Sequence, residues 1–320
     1  MPVEGNMQAN GTLTEPTPDR GAPDAAARRP WGIIVLVAAM SIIAIGVVIV
    51  LLVGLLRSLE PGALTAAPAP EPAPAPVATA EEYAENTQAY DLATLPVIDV
   101  FTIAPALPVD DRPTEGVLPM VATPNAPGAA LFADPTGSPV GQLPSTLRFD
   151  GTTVPVIEKQ EHWARIMISG RAGLPSTGVV GQLTAWVRTA DVQFTDNTMS
   201  VRVDIAGSSI QVLDGDTVVW EETSFAWGAP ATPTPPGRTF IMTTRVDEGA
   251  GYTRGHPIVY LGLQSPTLDG FNGQNNAITA FHYHDVRSGA ISNGCLRLDE
   301  DAIAQLSALP LGTPVVITGT

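Results

Sequence analysis

Cys295 is the only cysteine in a chain of 320 residues, and it stands in the run Ile291-Ser292-Asn293-Gly294-Cys295-Leu296-Arg297-Leu298. Without a second cysteine it forms no internal disulfide. Gly294 allows the backbone to bend beside the sulfur, and such a bend can aim successive N–H groups at one point. Converging amides are what acyl transfer requires to hold a developing oxyanion. A thiol is mostly protonated at neutral pH and needs a neighbouring imidazole to become a reactive thiolate. The upstream run Phe281-His282-Tyr283-His284-Asp285 supplies two. A lone free cysteine is more often a small buried hydrophobe than a nucleophile. Here the glycine, the histidines and the extracytoplasmic placement argued below shift the balance, because an idle thiol outside the cell is prone to oxidation.

His282 and His284 are two residues apart, so a strand presents both on the same side and periodicity leaves the choice between them open. His162 and His256 lie away from this constellation and read as surface or structural residues. With four histidines and one cysteine, no zinc-type ligand spacing is visible, and no metal or cofactor is expected.

The elements that must position these residues are strands. Within 197–320, Met199-Ser200-Val201-Arg202-Val203-Asp204-Ile205 alternates apolar and polar, and Ser209 to Leu213 follows. Asp214-Gly215-Asp216 turns the chain into Thr217 to Glu221, a predicted hairpin. Thr234-Pro235-Pro236-Gly237 is a turn that launches Arg238 to Thr244 as a strand, since proline fixes φ and glycine permits the reversal. Pro257 to Leu263 and Ala277 to His282 read as further strands. Asp299 to Leu306 reads as a helix with acids at its start, apolar on the side of Ile303 and Leu306. Pro314 to Thr318 closes the domain.

The pattern Ser292-x-Gly294-Cys295-x-Arg297, the apolar helix after it, and Leu309-Pro310-Leu311-Gly312-Thr313-Pro314-Val315-Val316-Ile317 together resemble the catalytic domain of the L,D-transpeptidases. The strand pair at 199–213 and the Thr-Pro-x-Gly turn at 234–237 fit the front of that domain. The resemblance implies a peptidoglycan enzyme that transfers acyl groups through a cysteine thioester and cross-links stem peptides in the cell wall. By the same resemblance, a role in wall biogenesis and cell shape and carbapenems as inhibitors are expected. It makes Cys295 the nucleophile and His282 the base, whose other ring nitrogen donates to the Tyr283 carbonyl. It places Ser292, Asn293, Gly294, Arg297, Tyr283 and His284 around the oxyanion and the substrate. Two departures stand out: Tyr283 follows the histidine where the family has glycine, and Asn293 stands where many members carry histidine. With water as acceptor the same site would be an L,D-carboxypeptidase, and with a protein as acceptor it would anchor wall proteins. A non-catalytic wall-binding protein is a further alternative. A sortase-type cysteine transpeptidase would place its arginine further from the cysteine and end a strand with a Thr-rich signature, which this chain lacks.

Ahead of that domain, residues 125–196 carry short β-type runs between Gly/Pro turns, as a small antiparallel barrel does. Glu161-His162-Trp163-Ala164-Arg165-Ile166 and Thr184-Ala185-Trp186-Val187-Arg188 resemble a bacterial SH3-like module. Such a module would bind wall, position substrate or act as a rigid spacer. Residues 57–124 read as a Pro/Ala-rich linker, extended and semi-rigid over the Pro-Ala alternation, with short apolar runs from Glu81 to Pro124. Residues 31–56 carry no charge and are long enough to span a bilayer; they exceed the apolar stretch of a cleavable signal. Residues 1–30 read as a disordered cytoplasmic tail. Arg28 and Arg29 abut the span and place the N-terminus inside, so the remainder faces the wall as a single-pass, membrane-anchored protein. The net charge of −16 excludes nucleic-acid binding. The fold class expected is mainly β: an SH3-like barrel, then a β-rich catalytic domain with one or two short helices.

Overall fold

The structure is a computed structural model that describes residues 82–319 except residue 272. The expected tail 1–30, the span 31–56 and the first part of the linker lie outside the described residues. Among the described residues, no helix is long and apolar enough to cross a membrane.

The described chain is mainly β. The first half contributes β1 (Met120–Pro124), β2 (Gly128–Leu131), β3 (Gly141–Pro144), β4 (Val154–Lys159), β5 (Trp163–Ile168), β6 (Leu183–Arg188) and β7 (Val192–Asp196). Five of these form a sheet in the order β6-β5-β4-β1-β7, and β2 and β3 pair as a separate ribbon. The second half contributes β8 (Met199–Asp204), β9 (Ser209–Asp214), β10 (Thr217–Glu222), β11 (Ala226–Gly228), β12 (Gly237–Arg245), β13 (Ile258–Gln264), β14 (Ile278–Tyr283), β15 (Gly289–Ser292), β16 (Leu296–Leu298), helix α1 (Glu300–Ser307) and β17 (Pro314–Thr318). Its sheet has ten strands in the order β10-β9-β8-β17-β12-β13-β14-β16-β11-β15.

The alternation in β8 works as its sequence requires: Val201 and Val203 are buried while Arg202 is exposed. The helix expected from Asp299 begins one residue later, because Asp299 is its cap and accepts from the Ala302 amide at 2.9 Å. Ala302, Ile303 and Leu306 bury one face of α1 against the ten-stranded sheet.

Two features of this sheet carry the site. β14 and β16 pair in parallel, with His282 opposite Arg297. β16, a three-residue strand directly after Cys295, is not legible in the sequence. It sends Leu296 and Leu298 into the core cluster of β8, β12, β13 and α1, so Cys295 and Arg297 face the other way.

The short apolar runs between Glu81 and Pro124 are packed, not extended into solvent. Ile98, Val100, Ala104 and Leu107 join the core of the five-stranded sheet, which also includes Phe240 and Met242 of β12. Tyr83 and Tyr90 lie edge-on to Trp186 and Phe132, at 5.3 and 5.6 Å between centroids. Arg238 of β12 is fully buried and forms a two-pronged ion pair with Asp110, at 2.7 and 2.8 Å. Two carbonyls, those of Glu115 and Gly116, accept from its remaining donors. The upstream segment and the ten-stranded sheet thus share one apolar core and one buried charge pair.

Candidate active site

The Ser292–Cys295 turn is built by glycine and by bracing from a second loop. Gly294 has φ 109°, a conformation that side chains rarely adopt. The Ser292 hydroxyl donates to the Cys295 carbonyl at 2.5 Å and accepts from the Gly294 amide at 3.1 Å, closing the turn on itself. The Ser292 carbonyl accepts from the Ala229 amide at 2.9 Å and from the Thr232 hydroxyl at 3.0 Å. Thr234 in turn accepts from the Gly228 amide at 2.9 Å. The loop that leads into the proline-rich turn read from sequence therefore holds the cysteine turn. Gly228 permits that approach: a Cβ there would stand 2.3 Å from the Thr232 oxygen and the Thr234 nitrogen.

Beside the turn is a cleft of about 410 Å³ lined by Tyr252, Phe271, His282, His284, Ser292, Asn293, Cys295 and Arg297. Cys295 is half-buried, and its Sγ lies 3.8 Å from the Ile278 carbonyl on β14. Ala280 packs in the same cluster as Cys295 and places the thiol against the strand that carries His282. Of the amides in the turn, Gly294's is engaged by Ser292. Those of Asn293 and Cys295 have no acceptor among the described residues, so they are free for an oxyanion.

The two histidines differ in tautomer. His282 Nδ1 lies 2.8 Å from the Tyr283 carbonyl. A carbonyl only accepts, so Nδ1 carries the proton and Nε2 presents a lone pair. His284 Nδ1 instead accepts from the Val286 amide at 2.9 Å. Its neutral ring therefore carries the proton on Nε2 and offers a donor. The two rings stand 6.2 Å apart and Tyr252 packs across both, at 5.1 Å from His282 and 6.0 Å from His284.

Electrostatics follow burial. His282 is 6% exposed, and its pKa is pushed down to about 4, chiefly by loss of water. The hydrogen bond to Tyr283 opposes that, while the charges of Arg297 and His284 add to it. Burial also pushes the Cys295 thiol up, against the pull of the Ala280 amide and the Arg297 charge. At rest the proton sits on sulfur and the imidazole is neutral. Arg297 favours the thiolate and disfavours the imidazolium. Its Nε is buried without a hydrogen-bond partner among the described residues, and its guanidinium places a positive charge in the wall of the cleft.

Of the residues singled out from sequence, Cys295, His282, His284, Ser292, Asn293 and Arg297 line one cleft, and Gly294 shapes it. Tyr283 is divided. Its carbonyl orients His282, while its side chain leaves the cleft, donates to Asp285 at 2.7 Å and stacks near His256. Tyr252 and Phe271 were not foreseen. Both come from loops with no spacing relation to the cysteine; the only hint in sequence is an aromatic within a glycine-rich turn at Gly249-Ala250-Gly251-Tyr252. Among the described residues, no group of three or more His, Cys, Asp and Glu is placed to hold a metal ion.

Residues 198–317 match the model of the YkuD family, the L,D-transpeptidase catalytic domain. The family resemblance read from sequence is therefore shown over that stretch. Similar solved structures include the catalytic domain of an L,D-transpeptidase from E. faecium, 18% identical over 38% of this chain and 96% of that one, with a TM-score of 0.26. A mutant of the Enterococcus faecium L,D-transpeptidase is 17% identical over 40% of this chain, with a TM-score of 0.28. This chain spans 55% of its length. The L,D-transpeptidase from Mycobacterium smegmatis is 14% identical over 52% of this chain and 99% of that one, with a TM-score of 0.29. No curated protein matches the chain.

Proposed function

We propose that this protein is a cysteine acyltransferase acting on peptidoglycan, an L,D-transpeptidase that cross-links stem peptides through a thioester on Cys295. The observation that carries the reading is the His282 tautomer. Its proton is fixed on Nδ1 by the Tyr283 carbonyl, so an unprotonated Nε2 belongs to the same cleft as the chain's one thiol.

Nε2 of His282 takes the proton of Cys295 as the thiolate attacks the amide that follows a diamino acid in the donor stem. The amides of Asn293 and Cys295 receive the oxyanion, and Gly294 and Ser292 hold them in place. The imidazolium returns its proton to the leaving amine, the terminal D-residue departs, and a thioester remains. An amine of a second stem then resolves it and forms the cross-link. Arg297 and the Nε2–H of His284 bind polar groups of the substrate. The reaction calls on no metal or organic cofactor. With water as acceptor, the same steps give an L,D-carboxypeptidase.

The uncharged run at 31–56, flanked by Arg28 and Arg29, supports a single-pass anchor with the catalytic domain facing the wall. The short antiparallel strands of 125–196 and their Trp-containing runs support an SH3-like module. Incubation with a carbapenem followed by intact-mass measurement tests the reading. A stable adduct on the wild type, absent in Cys295→Ala, is expected. A wild type that stays unmodified favours a non-catalytic wall-binding protein.

A further inference from the structure

The residue after His282 is where this chain departs from the family pattern, with a tyrosine in place of glycine. We propose that the Tyr283 side chain is a positioning residue for His282: anchored outside the cleft, it fixes the peptide whose carbonyl holds the His282 proton on Nδ1. The inference rests on the acyl-transfer reading above and adds to it a residue that acts from beyond the cleft.

Tyr283 is the last residue of β14, and the chain leaves the sheet there. Successive side chains of a strand point to opposite faces, so Tyr283 turns away from His282 and packs at the margin of the core that α1 covers. The peptide joining Tyr283 to His284 is held at both edges. Its N–H donates to the Leu298 carbonyl of β16 at 3.2 Å, and its carbonyl accepts from His282 Nδ1 at 2.8 Å. Beyond it the chain runs outside the strands until β15, and Val286 is 60% exposed. A strand end with so few contacts is where opening costs least. A glycine there gives the peptide no further hold, whereas a tyrosine does.

Asp285, Arg254 and His256 hold the ring. The Tyr283 hydroxyl donates to one oxygen of the Asp285 carboxylate at 2.7 Å, and Arg254 donates to the other at 2.6 Å. The His256 ring lies 4.7 Å from the Tyr283 ring, with 30° between their planes. The Arg254 guanidinium carbon stands 6.0 Å from the same ring centre. The Arg254–Asp285 pair alone is weak, because both side chains are half-exposed or more. Joined through one tyrosine, the contacts restrain one another. Arg254 and His256 also follow the turn Gly251–Thr253, which carries Tyr252 across both histidine rings. The same anchor therefore docks the loop that covers the site. Its effect on the reaction runs through the tautomer. A carbonyl that drifts from Nδ1 lets the ring proton settle on Nε2, and a neutral ring protonated there has no lone pair for the thiol.

The test uses the full chain with isotope-labelled histidine nitrogens, read by NMR. The sequence has four histidines, and the His282 ring signals are the ones lost in His282→Gln. Ring-nitrogen shifts near neutral pH, where the His282 ring is neutral, report its tautomer. The wild type is expected to show the Nδ1–H form alone. Tyr283→Ala should populate the Nε2–H form. It should also lower kcat for a disaccharide-tetrapeptide donor by about threefold to tenfold, the range of one lost hydrogen bond. KM should change little, because the side chain lies outside the cleft. Tyr283→Phe keeps the stacked ring and loses only the Asp285 contact, so it should fall between the two; it also decides the matter if Tyr283→Ala does not fold. An Nδ1–H form undisturbed in both variants overturns the proposal. A loss of kcat in Tyr283→Phe without a change of tautomer also overturns it, since a merely structural role gives that result. A wild type that does not turn over the donor sinks the acyl-transfer reading instead, and the tautomer measurement then still decides the role of Tyr283.

Discussion

The tautomers of His282 and His284 are decided by backbone partners one and two residues downstream. Sequence periodicity brings both to the cleft and stops there. What separates them is that one Nδ1 meets a carbonyl and the other an amide, and that depends on how the chain leaves β14. His282→Gln should lower the rate of donor turnover by roughly 10²–10⁴, the usual range for loss of a general base. His284→Gln should act mainly on KM. Equal losses of kcat in both variants would contradict the assignment. The buried neutral imidazole also links stability to pH. The His282 pKa is depressed to about 4 in the folded chain, against about 6.5 unfolded. Its contribution is therefore complete above pH 6.5 and is lost as pH falls through 4. At most it amounts to about 3 kcal/mol, from the size of that depression. Unfolding titrations of wild type and His282→Gln across that window should show the wild type losing more stability. Parallel curves would show that burial does not hold the ring neutral.

At the scale of elements, the cysteine turn and the 268–275 loop are both held from a distance. The family motif shows Gly294 in the sequence, but not that Thr232 and Ala229 grip the carbonyl of Ser292. Gly294→Ala should destabilise by about 1–3 kcal/mol, since a Cβ at φ 109° is strained, and its activity should fall further than its melting temperature implies. A variant with normal turnover would mean that the turn geometry is dispensable. Arg171, buried on the upstream side, donates to the carbonyls of Leu268, Asp269 and Asn275, the first and last at 3.3 and 3.0 Å. Ser176 holds the Asp269 carboxylate at 2.6 Å. This grip surrounds Phe271, a wall of the cleft. Arg171→Met leaves those carbonyls without their donor and should raise donor KM several-fold, on the order of a lost 1–2 kcal/mol. Kinetics indistinguishable from wild type would remove Arg171 from the account. No spacing in the sequence connects residue 171 to the 268–275 loop, so this contact could not be read there. The strands themselves were legible, because alternation in β8 and β9 and the turns at 214–216 and 234–237 are local signals. β16 and the parallel β14–β16 pairing are not, being too short and dependent on a partner far along the chain.

For the whole molecule, the upstream segment is part of the packing of the ten-stranded sheet. Phe240 and Met242 of β12 lie in the core of the five-stranded sheet, and Asp110 neutralises Arg238 in the interior. Asp110→Ala leaves a buried arginine without its counter-charge and should cost about 3–5 kcal/mol. Thermal denaturation checks this, and a melting temperature within a degree or two of wild type would contradict it. Short apolar runs among prolines, such as Leu95 to Phe101, look like linker in sequence because they lack periodicity; their burial comes from a partner surface the sequence does not reveal. The proposed chemistry turns on one sulfur atom. Wild type, Cys295→Ala and His282→Gln should be incubated with a disaccharide-tetrapeptide and stopped in acid for intact-mass measurement. The account predicts a thioester-linked muropeptide, less its terminal D-residue, on the wild type only, at Cys295. Turnover of the donor by Cys295→Ala, or turnover by the wild type through an adduct located elsewhere, would contradict it.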